Sequence, residues 1–243
     1  MQEPETLITQ LGPQLTKELS PPPASNFSSN HKQNIKLPPL DIILHLVELY
    51  FQHVHGQTYS FLHKPSFIPL IKQGKVNRTL LLALCGLTAR YSKHPLIASN
   101  PPYEAGEHFI ADARNSLSEE FDEPTIETIQ AVIIIVQHDF FRYKGKRSMI
   151  YVSLAIRMAA SLELHVESKD PSLSFRERES RRRTYWSLIN LDRLGHSGTH
   201  WQVHLRTDTL KIQLPCKDYY YENNIPVVVE TLDGSLPPPL PGQ

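Results

Sequence analysis

Apolar residues recur at a helical period through most of the middle of this chain. Ile43, Leu46, Val47, Tyr50, Phe51 and Val54 fall at i, i+3, i+4, i+7, i+8 and i+11, the pattern of one face of an amphipathic helix. Residues 61–67 (Phe-Leu-His-Lys-Pro-Ser-Phe) interrupt it, and Pro65 favours an extended or turn entry. Residues 77–92 predict a second helix. Its Leu80, Leu81, Leu82, Ala83, Leu84, Leu87 and Ala89 are apolar nearly all round, as in a buried central helix. Residues 103–117 predict a more polar surface helix. Asp122-Glu123-Pro124 reads as a helix opening, with acids at the positive dipole end and proline in the first turn. Ile126, Ile129, Ile133 and Val136 then form its stripe. Val152, Ala155, Ile156 and Ala159 mark a further helix ending near Leu164 and His165, and residues 176–193 form the last.

Strand signals are weak by comparison: only residues 226–231 (Pro-Val-Val-Val-Glu-Thr) have extended character. The fold class is therefore all-α, a multi-helix domain with disordered Pro-rich N- and C-terminal tails. Residues 1–37 read as a Pro/Ser-rich tether, since Pro21-Pro22-Pro23-Ala24-Ser25-Asn26 has few groups able to build a core. Residues 38–215 are the helical domain, and 216–243 an irregular, Pro-rich tail that cannot continue a helix.

The helix over 176–193 carries the densest information. It begins as a charge run, in which Glu177 with Arg181 and Glu179 with Arg183 form acid-first i,i+4 pairs. Tyr185, Trp186, Leu188 and Ile189 follow as a packing face, and Asp192 and Arg193 continue that face toward a core. A buried charge is costly unless paired, so both are expected to find partners across the bundle. Trp186 and the Glu179–Arg183 pair are expected to pin this helix against the apolar helix over 80–87. Arg176, Arg178, Arg181, Arg182 and Arg183 resemble a phosphate-gripping or import cluster. Lys+Arg and Asp+Glu both count 25, however, so no surrounding positive field supports DNA contact, and a structural role is the better reading.

Composition removes several function classes. The two cysteines, Cys85 and Cys216, exclude a disulfide framework and any cysteine-rich zinc module. The longest apolar runs, residues 80–87 and 131–136, are far too short to span a membrane. The acidic N-terminus lacks a signal-peptide core, so a soluble intracellular protein is expected. No Gly-x-Ser-x-Gly turn or phosphate-binding loop occurs, and no acid/base pair stands out, so no enzymatic activity is assigned. His196, His200 and His204 recur every four residues, but the glycines and hydroxyl residues among them favour a loop. No metal site is assigned there.

The run Arg181-Arg182-Arg183-Thr184-Tyr185-Trp186 resembles the Arg-Arg-Arg-Thr-Phe/Tyr-Trp signature of the fungal-specific transcription factor domain, the regulatory middle homology region of binuclear zinc-cluster activators. Residues 61–67 are similar to its Leu-His-Arg-Pro-Thr-Phe element, and residues 81–92 to its Ala-Leu-Cys…Ala-Arg-Tyr-Ser helix. Residues 124–131 resemble its Thr-Val-Gln-Ala helix start. Residues 155–165 resemble the Ala-Ile-Arg-Met-Ala…Leu-His helix, and Asp192-Arg193 and Leu214-Pro215 close the ordered set. The chain departs from the family at residues 198–201, where Gly-Arg-Pro is usual. It also lacks the six cysteines of the cluster, and a proline-rich tail stands where the family domain continues. A partial product is expected, or a remnant that regulates without binding DNA itself.

The resemblance implies a nuclear regulator of transcription by RNA polymerase II, with the structural signature Glu179, Arg181, Arg182, Arg183, Tyr185, Trp186, Asp192 and Arg193. It implies zinc only in a missing cluster domain, and DNA contact only through that domain or a partner. Homodimers, co-regulators or a small-molecule effector are the expected partners. Met149, Met158, Tyr185 and Trp186 are the candidate lining of an effector pocket between helices. A stand-alone interaction or ligand-binding module is the alternative.

Overall fold

The computed structural model describes residues 36–57, 60–197, 203–208 and 210–239. Among them are the helices α1 (Leu40–His53), α2 (Lys64–Lys72), α3 (Arg78–Thr88), α4 (Glu107–Leu117), α5 (Ile126–Phe141), α6 (Gly145–Ser161), α7 (Phe175–His196) and α8 (Asp218–Glu222). Short 3-10 turns follow α3 at Ala89–Tyr91 and precede α4 at Pro102–Glu104. No strand occurs among the described residues; one isolated antiparallel bridge joins Gln213 to Thr231. The fold is all-α, as the periodicity predicts. The expected tether, up to residue 35, lies outside the described residues.

The helix starts follow local chemistry. Asn77 accepts the Leu80 backbone N–H at 2.9 Å to open α3. Thr125 and Thr128 form a reciprocal capping box at the start of α5, so Pro124 precedes the helix instead of occupying its first turn. Ser174 and Glu177 form the equivalent box on α7. Each cap is worth about 1 kcal/mol.

Two helices form the centre. In α3 every residue from Thr79 to Thr88 is buried, and in α5 every residue from Thr128 to Asp139. From Thr128 to Asp139 the expected stripe on α5 is therefore buried all round, because α3, α4, α6 and α7 all pack against it. α1 lies against α3. At the α3–α4 crossing the backbones touch: a Cβ on Gly106 would stand 1.8 Å from the Gly86 carbonyl oxygen.

Two features of α7 differ from the sequence-based expectation. It packs mainly on α5 and α6, not on α3, which stands behind α5. It also continues through Gly195 to His196, where a loop was expected. Gly195 sits there because the Met149 side chain comes so close that a Cβ would meet its Sδ at 2.7 Å.

Packing does not stop at Pro215. Cys216 and Tyr221 are buried with Phe175 in a small second cluster, and the Tyr221 hydroxyl donates to the Phe61 carbonyl at 3.0 Å. Leu214 N–H donates to Glu230 O at 2.9 Å, and Val229 N–H to Gln213 Oε1 at 3.0 Å. Residues 216–235 therefore fold back onto α7, so the boundary expected at 215 does not separate core from tail. Polar backbone that enters a core is satisfied by exchange of hydrogen bonds with neighbouring segments.

Candidate functional site

The arginine-rich run of α7 turns inward. Arg178, Arg182 and Arg183 are buried, and so is Glu179, which has no exposed surface. One Glu179 oxygen accepts Arg183 Nε at 2.8 Å and the Cys216 N–H at 2.9 Å, while the other accepts Arg182 Nη1 at 2.5 Å. Arg182 also forks onto Glu167, with Nε to Oε1 at 2.9 Å and Nη2 to Oε2 at 3.1 Å. Glu167 in turn accepts the Gln213 N–H at 2.9 Å. Buried ions are tolerated when paired and hydrogen-bonded in this way.

Arg183 is the hub. Nη1 donates to the Ser60 carbonyl at 3.0 Å and to Asp218 at 2.6 Å, and Nη2 donates to the Cys216 carbonyl at 2.7 Å. Its guanidinium lies 4.3 Å from the centre of the Tyr221 ring. Burial works against its charge, but the Asp218 hydrogen bond and the Glu179 carboxylate outweigh that and hold its pKa above the ordinary value. One planar fork thus ties α7 to the strap before α2 and to the segment around Cys216, a geometry lysine does not offer.

Other signature residues have different fates. Glu177 caps the helix through Ser174 and makes no pair with Arg181, whose Nη2 donates to the Leu162 carbonyl at 2.9 Å. Tyr185 is core. Trp186 is only half-buried, and its Nε1–H donates to Gln213 O at 2.8 Å. Asp192 is fully buried while Arg193 is exposed. Together they grip the segment after the helix. Asp192 Oδ2 accepts the N–H groups of His204 and Leu205 at 3.0 and 2.8 Å, and Arg193 Nη2 donates to Leu205 O at 2.8 Å. Their partners lie along the following loop, not across the bundle.

Met149, Met158, Tyr185 and Trp186 do not converge on one cavity. Met149 lines a cavity of about 480 Å³ between α6 and the end of α7. Met158 and Tyr185 are packed core. Beside that cavity Asp192 Oδ1 lies 3.3 Å from His196 Nδ1 and 3.1 Å from His204 Nδ1. Residues 198–201, including His200, lie outside the described residues. The residues that sequence reasoning missed are Ser60, Glu167, Gln213, Cys216 and Asp218, all outside the helix they serve.

The fungal specific transcription factor domain matches residues 47–235. A Zn(2)-C6 fungal-type transcription factor of Fusarium oxysporum f. sp. lycopersici is 36% identical over 222 residues, which is 87% of this chain and 24% of that protein. An uncharacterized transcriptional regulatory protein of Schizosaccharomyces pombe is 34% identical over 234 residues, 92% of this chain and 24% of its own length. The chain therefore spans about a quarter of the length of these relatives. No solved structure matches it. The match begins inside α1 and runs past the bridge at Thr231, enclosing the whole α7 network, and the chain belongs to the fungal specific transcription factor domain family.

Proposed function

We propose that this chain is the regulatory domain of a fungal zinc-cluster-type transcription factor, controlling transcription by RNA polymerase II in the nucleus. One observation carries the reading: the arginine-rich signature inside the family match is spent on internal carboxylates and carbonyls. Guanidinium groups committed in this way are not offered to phosphates. The domain then acts through its folded surface, and DNA contact belongs to another segment or a partner.

The Zn(2)-C6 cluster named in the Fusarium relative's description needs six thiolates. This chain has two cysteines, Cys85 and Cys216, both buried. Burial pushes the Cys85 thiol up to about 12, and burial with the nearby Glu179 carboxylate does the same to Cys216. These residues do not fit the cluster. In mechanism, the helical domain masks or exposes an activating surface when a co-regulator, a second copy or a small molecule binds.

A tethered reporter tests the reading. Fused to a heterologous DNA-binding domain, residues 36–239 should raise or lower transcription relative to the DNA-binding domain alone, and Glu179→Gln should abolish the effect. A fusion that is folded and nuclear yet transcriptionally inert would favour a stand-alone interaction or ligand-binding module instead.

A further inference from the structure

We infer that Asp192, His196 and His204 form a binding site for a divalent transition-metal ion of the zinc type. This goes beyond the regulatory reading and does not depend on it. A ring nitrogen from each histidine and a carboxylate oxygen of Asp192 all lie within 4.8 Å of one another. Asp192 and His196 are one helical turn apart on α7, so they share a face, and both are buried. His204 arrives from the following segment, its side chain 47% exposed at the rim.

The two carboxylate-to-imidazole distances suit a tetrahedral ion. Donors bound at 2.0–2.1 Å stand about 3.3 Å apart along a tetrahedron's edge. Asp192 Oδ1 is 3.3 Å from His196 Nδ1 and 3.1 Å from His204 Nδ1. The carboxylate divides its work. Oδ2 accepts the two backbone N–H groups that hold the segment at 204–205, leaving Oδ1 to face both imidazoles. His196 Nδ1 also lies 2.5 Å from the Asp192 main-chain oxygen, a contact it would give up on ligation through that atom. Two imidazoles with one carboxylate select a zinc-type ion over calcium or magnesium, which take oxygen donors.

The surroundings leave a fourth position open. His196 and His204 line the cavity of about 480 Å³, whose other walls include Lys146, Met149, Ile150 and Val203. A water or an anionic group can enter from there. Occupancy would add a metal bridge to the hydrogen bonds and the Leu205 packing that hold residues 203–208 at the end of α7, so the ion would act on the surface shaped by this loop.

The test is calorimetric titration of Zn²⁺ into the full chain after chelator treatment, with Co²⁺ absorption as a second readout. One ion per chain and a tetrahedral Co²⁺ spectrum are expected. His204→Gln, at the half-exposed rim, should weaken binding by at least about tenfold without changing the metal-free melting curve appreciably. His165→Ala, exposed and far along the sequence, controls for the chain's other histidines and should leave the affinity unchanged. If His204→Gln binds as tightly as the parent, or the parent binds less than one ion, the site does not exist. A second variant, His196→Asn, must lose the Co²⁺ spectrum; retention of that spectrum would equally overturn the assignment.

Discussion

The Arg183 guanidinium donates to Asp218 at 2.6 Å while its Nε binds Glu179 at 2.8 Å, so one side chain joins a buried acid on its own helix to an acid on α8. The two acids differ in exposure: the Asp218 side chain is 56% exposed and that of Glu179 is fully buried. Water competes for one and not for the other. Glu179→Gln takes one of two carboxylates from each of the buried Arg182 and Arg183, which keep Glu167 and Asp218, and should cost about 1.5–3 kcal/mol. Asp218→Asn should cost less than about 1 kcal/mol. Urea denaturation of both variants checks the contrast, and equal losses would mean that the network does not centre on Glu179.

Trp186 separates a hydrogen bond from a packing contribution. Its ring is half-buried, and Nε1–H reaches the Gln213 carbonyl at 2.8 Å. Trp186→Phe keeps much of the ring and deletes the donor, for an expected loss of about 0.5–1.5 kcal/mol. Trp186→Ala should cost more than that, yet fall below the roughly 3–5 kcal/mol of a fully buried tryptophan. A larger loss from Phe than from Ala would contradict this division.

How far the sequence could be read depends on the range of the interaction. α1 and α3 were legible because a 3.6-residue period or an all-apolar run is a local property, and the structure buries Ile43, Leu46, Val47 and Tyr50 on the face those spacings define. On α5 the period suggested one stripe, but Val132, Ile134 and Ile135 are equally buried. Spacing along one helix cannot tell how many neighbours will surround it. The Glu179–Arg183 pair was visible at i,i+4. Its other partners were not, since Ser60 lies 123 residues and Cys216 33 residues from Arg183. No local pattern encodes a guanidinium that meets a carbonyl over such separations. Asp192 was expected to seek a partner across the bundle, whereas it caps the loop that follows its own helix.

Gly106 sits where α4 meets α3 with no space for a side chain. A Cβ there would stand 1.8 Å from the Gly86 oxygen, and that oxygen is backbone within a buried helix, so it cannot move aside. Gly106→Ala must push the two helices apart. The expected loss is at or above the upper end of the ~1–3 kcal/mol typical of overpacking, read as a large drop in melting temperature. Gly145→Ala is the control: its Cβ would meet nothing within 4 Å, and alanine favours the first turn of α6. That variant should melt at or above the parent temperature.

His63 should make stability depend on pH in the mildly acidic range. Its Nδ1 accepts the Ser66 N–H that opens α2, at 3.3 Å, so the ring proton sits on Nε2 and is donated to the Glu222 carbonyl at 3.1 Å. Burial lowers its pKa below 6.5, the nearby Arg176 charge adds to this, and the Glu222 carbonyl opposes it in part. Protonating Nδ1 would also remove the cap. As the pH falls through 6.5 the unfolded chain takes up a proton that the folded chain refuses, so stability drops until the folded pKa is reached and then levels off. His55 is lowered as well, chiefly by burial, and contributes a second step of the same sign. His63→Asn keeps a capping acceptor and does not titrate. Urea midpoints compared between about pH 7.5 and about pH 5.5 should therefore shift less in His63→Asn than in the parent, with the His55 step remaining. An identical shift in both proteins would show that His63 is protonated as readily in the folded chain as in the unfolded one.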